Sequence, residues 1–255
     1  MNFLVSSETD IGISKKTNQD SHVVRIYSTP IGRVVMAVLC DGMGGLSKGE
    51  VASASLVHAF CNWADQNLLA VCQNLNPDQA IHEEWNQIAV TFNEKIKLYG
   101  KSSGINMGTT VTAMLLMQDK YFILNVGDSR AYEIGDFVQV LTRDQTVVAR
   151  EVEMGILTEE QAKMDPRRSV LLQCIGASES VYPVITSGTT RKDCVYMLCS
   201  DGFRHEISEE EIYACFQPDR MTSQEEMRQN ELALIELNKR RQERDNITVI
   251  TIRTF

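Results

Sequence analysis

Proline is scarce in this chain, 5 in 255 residues, and nowhere do Pro, Gly and Ser gather into a linker. That absence predicts one domain over residues 1–255. Glycine numbers only 15 while 43% of the residues are hydrophobic, which excludes collagen-like and intrinsically disordered readings. No apolar run approaches the roughly 18 residues of a membrane span. The N-terminal MNFLVSSETD also lacks the basic and apolar stretches of a signal peptide. Positive charge is in deficit: 25 Lys and Arg against 34 Asp and Glu leave a net −9. Such a chain repels a phosphate backbone unless its basic residues cluster. The densest basic cluster, Lys239, Arg240, Arg241 and Arg244, reads as the solvated end of a helix. Neither nucleic acid nor a membrane is therefore an expected partner. The seven cysteines are odd in number and contain no C-x-x-C pair. Buried free thiols in a reducing compartment account for them, which places the protein in the cytoplasm.

Against these absences stand many short β-like runs: Phe3–Ser6, Ser21–Tyr27, Val34–Cys40, Thr110–Met117, Tyr121–Val126, Val138–Leu141, Tyr182–Thr186, Val195–Cys199 and Ile247–Ile252. Several are nearly continuous in Val, Ile, Leu and Met, as strands buried on both faces must be. Helical stretches lie between them. One opens at Asn76–Pro77, carries apolar residues at 81, 85, 88, 92, 96 and 99, and meets a stop at Gly100. Another covers Glu50–Leu69, and Ser/Thr-x-x-Glu/Gln boxes at 158/161, 208/211 and 223/226 open three more. Strand groups broken by long helical pairs predict a sheet core with helices packed outside it. Residues 145–168 are polar, long for a connection, and carry a short helix of their own, the profile of a flap.

One pattern exceeds what packing requires. Apolar strands run directly into Asp41 (DGMGG), Asp128 (DSR) and Asp201 (DGF), while Asp20 and Asp245 stand just before strands. A single Asp-Gly pair is ordinary turn chemistry. Five such carboxylates converging on rigid strand ends would repel one another unless cations lay between them. Oxygen donors without thiolate or paired imidazole suit Mg²⁺ or Mn²⁺ rather than zinc. The glycines at 42, 44 and 45 would let a backbone carbonyl approach such an ion. The chemistry points to a two-metal hydrolase.

The order of these motifs resembles the metal-dependent Ser/Thr protein phosphatases of type 2C, in their bacterial branch. The pieces are SETDIGISKKTNQD (7–20), AVLCDGMGGLSKGEVAS (37–53), MGTTVTAML (107–115), LNVGDSRAY (124–132), LTRDQT (141–146), LLQCIGA (171–177), CSDGF (199–203) and RDNITVI (244–250). The resemblance implies an α+β fold, a four-layer α-β-β-α sandwich of two antiparallel sheets flanked by helix pairs. It also implies that Asp41 bridges two ions with help from the Gly42 carbonyl. Asp201 and Asp245 would hold the first ion and Asp20 would support the second, while Asp128 would join a weaker third site with Asp201. Asp41, Asp201 and Asp245 would then carry catalysis, in which a hydroxide between the ions would attack phosphorus in line. Phosphorylated proteins and a cognate Ser/Thr kinase are the implied partners, and a monomer the implied state.

Two departures stand out. Where the family's first motif has an arginine for the substrate phosphate, this chain has Lys15, which keeps the charge but gives up the bidentate fork. Lys16, Arg167 or Arg168 could compensate. Where some relatives have a histidine after DG, this chain has Met43, so no side chain is assigned as leaving-group acid. No C-x₅-R loop surrounds any cysteine, which leaves thiol nucleophiles aside. A catalytically silent type 2C-like scaffold is the alternative, favoured only by Lys15. If Lys15 faces the phosphate, Lys15→Arg lowers KM for a phosphopeptide; an unchanged KM removes Lys15 from that contact.

Overall fold

A computed structural model of the chain describes residues 1–43 and 48–255. Its strands are β1 (Phe3–Asp10), β2 (Ser21–Thr29), β3 (Gly32–Cys40), β4 (Val111–Leu116), β5 (Lys120–Val126), β6 (Arg130–Ile134), β7 (Val138–Val140), β8 (Val184–Thr189), β9 (Val195–Cys199) and β10 (Ile247–Thr254). They form two five-stranded sheets in the orders β1-β10-β9-β6-β7 and β2-β3-β4-β5-β8. Neighbouring strands pair antiparallel throughout, from Phe3 opposite Thr254 in one sheet to Ser21 opposite Cys40 in the other. Two long helices, α1 (Gly49–Gln73) and α2 (Pro77–Ser103), cover the second sheet. The short α5 (Asp201–Arg204), α6 (Glu209–Phe216) and α7 (Gln224–Arg240) cover the first. Two further short helices, α3 (Val147–Glu153) and α4 (Glu159–Met164), lie within the polar stretch 145–168. The expected four-layer sandwich is what forms.

The unbroken apolar runs follow from this layering. In β3, Val34, Met36, Val38 and Cys40 pack under α1 and α2. The alternate residues Val35, Ala37 and Leu39 face the other sheet. A strand whose two faces both lose water has no position left for a polar residue. The same division runs through β9, where Met197 packs toward the helices and Leu198 between the sheets. Under α1 and α2, Trp85 is fully buried and edge-on to Phe60 at 5.6 Å and to Trp63 at 5.5 Å, the offset geometry that ring quadrupoles favour.

Three local expectations shift. The strand β6 was not anticipated because its sequence, RAYEI, carries two charges. Both are satisfied in the fold: Arg130 pairs with Asp144, and buried Glu133 accepts the Tyr196 hydroxyl at 2.9 Å. Helix α2 passes Gly100 and ends at Gly104, whose φ of 66° lies in the left-handed region. Gly100 instead leaves room for the Ile105 carbonyl, 2.7 Å from where its β-carbon would stand. The boxes at 158/161 and 208/211 close fully; at 223/226 Ser223 caps the helix while the Glu226 carboxylate turns to Thr222.

One buried acid ties α7 to the first sheet. The Glu231 carboxyl accepts 2.6 Å hydrogen bonds from Ser6 on β1 and Thr251 on β10. Burial pushes it from 4.5 to about 7. An acid whose folded-state pKa lies above its unfolded one retains its proton longer when folded, so stability falls as pH rises from about 4.5 to 7. Glu231→Gln removes that loss. Denaturant titration is expected to find little difference at pH 5 and a gain of ~1–3 kcal/mol at pH 8. A pH-independent difference would contradict the assignment.

Candidate metal centre

The two sheets pack face to face, and the five aspartates stand at or beside the ends of their strands. Asp41 follows β3. Its amide donates to the Thr110 hydroxyl at 3.0 Å, and its carbonyl accepts from the Thr110 amide at 2.8 Å and the Thr109 hydroxyl at 2.9 Å. Gly42 bridges to Thr109 and donates its amide to the Gln19 carbonyl at 3.1 Å. A β-carbon on Gly42 would lie 2.4 Å from that carbonyl and 2.6 Å from the Gly49 oxygen, so only glycine fits. Asp20 immediately precedes β2, Asp128 sits in the turn between β5 and β6, Asp201 opens α5 after β9, and Asp245 lies just before β10. Gly44 and Gly45 lie outside the described residues.

Their proximity is written in the electrostatics. Burial, and then the fields of Asp20, Asp201, Asp245 and Asp128, push the Asp41 carboxyl well above the usual range, although part of the residue remains accessible. Burial, opposed by the Thr248 hydroxyl but reinforced by Asp201 and Asp245, pushes Asp20 up to about 7. Burial and Asp201 push Asp128 to about 7 against the pull of Arg204.

Two carboxylate oxygens here, Oδ1 of Asp20 and Oδ1 of Asp201, are buried without a hydrogen-bond partner among the described residues. Orphaned buried acceptors of this kind are costly unless something positive meets them. A hard divalent cation satisfies them and relieves the mutual repulsion, so the donor set fits one. Among the described residues no three His, Cys, Asp or Glu side chains close tightly enough to clasp an ion alone. Backbone carbonyl and water oxygens would complete its shell, as magnesium and manganese sites commonly have it.

Neutral groups hold the acids in place. The Thr248 hydroxyl donates to Asp20 Oδ2 at 2.5 Å. The Asn246 side chain accepts from the Gln19 amide at 2.9 Å and donates to the carbonyls of Ile11 at 3.0 Å and Thr17 at 3.3 Å. It therefore clamps the whole 11–19 loop against β10. Gly12, with φ of 74°, closes the same contact: its β-carbon would stand 2.2 Å from the Asp245 carbonyl.

The structure turns Lys15 toward an acid. Its Nζ lies 2.7 Å from Asp245 Oδ1. Partial burial opposes its charge, but the bond to Asp245 and the fields of Asp41 and Asp201 hold the ammonium above its ordinary value. Arg167 is engaged within its own segment, at 2.7 Å from Glu151 and 2.8 Å from Asp165, and Arg168 reaches only the Lys163 carbonyl. Besides Arg130, whose DSR motif the sequence offered, the site includes Asp144, Arg204 and His205, which the sequence did not single out. Arg130 grips Asp144 through two bonds of 2.7 and 2.8 Å. Arg204 lies beside Asp144 and Asp128. His205 stands 3.6 Å from Asp201 and 3.5 Å from Glu243. Asp144 lay within the LTRDQT motif and could have been paired with the Arg of DSR, but nothing in the sequence singled out Arg204.

Comparison with known proteins agrees with this fold. The sequence model of the family Protein phosphatase 2C matches residues 13–235. The chain is 32% identical over 251 residues to the serine/threonine protein phosphatase PstP of Mycobacterium tuberculosis, covering 96% of this chain but 44% of that protein, about half its length. A solved serine/threonine phosphatase of S. agalactiae superposes with a TM-score of 0.86 at 28% identity, covering 100% of both chains. The catalytic domain of the phosphatase PstP in complex with two manganese ions superposes at 0.78 with 27% identity, over 98% of this chain and 97% of that one.

Removal of the Asn246 clamp tests how the site is held. Asn246→Ala loses three part-buried hydrogen bonds to the loop backbone, a cost of ~2–4 kcal/mol in unfolding free energy. Amide exchange in residues 11–19 is expected to accelerate in step. Unchanged exchange there would show that the loop is held by other means.

Proposed function

The chain belongs to the protein phosphatase 2C family, and from that premise we propose that it hydrolyses phosphoserine and phosphothreonine in proteins with the help of two divalent cations, Mn²⁺ or Mg²⁺. The observation that carries the reading is the gathering of Asp20, Asp41, Asp201 and Asp245 with two buried carboxylate oxygens left unpartnered. Asp41 and the Gly42 carbonyl would lie between the ions. Asp201 and Asp245 would hold one ion and Asp20 would support the other. When bound, such ions act as Lewis acids and lower the pKa of water toward neutrality.

The chain's own groups do the rest. Thr248 fixes the Asp20 carboxyl in one rotamer, and Thr109 and Thr110 fix the backbone at Asp41. The Lys15 ammonium, one side-chain swing from Asp245, is the positive group that would receive the substrate phosphate. Thiol chemistry is set aside by burial, which pushes Cys40 well above its ordinary value and Cys199 to about 12, leaving both protonated.

Residues 1–255 are read as one catalytic unit with 145–168 as a flap beside the centre. Phosphorylated proteins and a cognate Ser/Thr kinase are the proposed partners, the cytoplasm the proposed location and a monomer the proposed state. Among the described residues no helix is long and apolar enough to cross a membrane. The alternative of a silent scaffold is disfavoured by the survival of every carboxylate in the set.

Phosphate release from a phosphothreonine peptide is the direct assay. Turnover is expected with Mn²⁺ and none in excess EDTA. Asp41→Asn and Asp201→Asn are each expected to lower the rate by several orders of magnitude with the thermal transition retained. Rates near wild type in either variant would overturn the two-ion reading.

A further inference from the structure

We propose that Arg204 is a built-in cation beside the Asp128 carboxylate, so that this centre takes two divalent ions and no third. The inference rests on the metal-dependent reading above and concerns a residue that reading does not use. Arg204 ends the short helix α5 that Asp201 begins, and at three residues' separation on a helix the two side chains share a side. Its Nη2 lies 3.0 Å from the Asp128 carbonyl, 3.0 Å from Asp144 Oδ2 and 3.9 Å from Asp128 Oδ2. Its Nε is buried without a partner among the described residues, so the side chain is placed for what its outer nitrogens reach.

Charge counting gives the consequence. Asp144 is gripped on its two oxygens by Arg130, at 2.7 and 2.8 Å, and Arg204 adds a second guanidinium at 3.0 Å. Two guanidiniums on one carboxylate leave one positive charge over, and Asp128 is the acid that faces it. The four groups together are neutral. A guanidinium does not lose its proton in any working range of pH, so this counter-charge is permanent. An ion drawn to Asp128 would stand beside a fixed positive charge in a site too buried for water to screen well, which lowers its affinity steeply. The acids that act on Lys15 are Asp245, Asp41 and Asp201, and its ammonium is held by the single ion pair to Asp245. The imidazole of His205, the other basic group beside Asp201, is drawn to Glu243 as well.

Titration of the metal-free full chain with Mn²⁺, read by calorimetry and by loss of the free-ion EPR signal, tests this without reference to turnover. Two bound ions are expected in the wild type and in Asp128→Asn alike. Arg204→Met, which keeps the stem and leaves Asp144 to Arg130, is expected to gain a third ion, with the weakest site tightened about tenfold or more. Arg204→Lys is expected to stay at two. A third ion in the wild type that Asp128→Asn abolishes would overturn the inference and leave the two-ion reading standing. So would a folded Arg204→Met that still takes two. A wild type that binds no manganese would overturn both. If Arg204→Met shows no thermal unfolding transition, the comparison of wild type with Asp128→Asn decides alone.

Discussion

Mutual repulsion among buried carboxylates is the constraint around which this molecule is organised. Asp20, Asp41, Asp128, Asp201 and Asp245 would separate if they stood on flexible loops, because each raises the cost of ionising the others. They stay together because each stands at, or within two residues of, the end of a strand or helix whose body is locked into a core. The energy that holds them is hydrophobic and lies elsewhere: between the sheets, and between each sheet and its helices. The site is thus a local strain sustained by distant packing.

The scaffolding contacts are correspondingly neutral and short. Thr109 and Thr110 hold the backbone at Asp41, Thr248 holds Asp20, and Asn246 holds the loop that carries Lys15. Charged scaffolding in the same positions would have altered the field at the acids. Where chain must approach chain most closely, the residue is glycine: a β-carbon on Gly202 would stand 2.2 Å from the Asn246 carbonyl, as Gly12 and Gly42 would against their own neighbours.

Positive charge is placed at the two ends of the acidic array and is of two kinds. Lys15, on a loop, holds its ammonium on a four-carbon stem and can exchange Asp245 for another anion. Arg204, locked between Asp128 and Asp144, cannot move without unmaking the contact between α5 and the turn before β6. The first suits a group that greets an incoming phosphate, the second a fixed boundary of the ion site. Asp144 adds a mechanical link, since the residue after it begins the 145–168 segment.

The sequence by itself determined the layers and the acids. Continuous Val-, Ile- and Leu-rich runs can only be strands buried on both faces, and five aspartates at the ends of such runs can only be tolerated with cations near. Those inferences use neighbours along the chain, and they placed most of the strands and all of the carboxylates. What tertiary structure decided is everything that depends on who stands opposite. RAYEI becomes a strand because Asp144 and Tyr196 neutralise its charges. Lys15 meets Asp245 from 230 residues away, and Arg204 meets Asp128 because β9 and β6 are neighbours in one sheet. A lone Arg or Lys carries no mark of its partner in its own sequence, because ion pairing is a property of distance in space and the chain records only distance along itself.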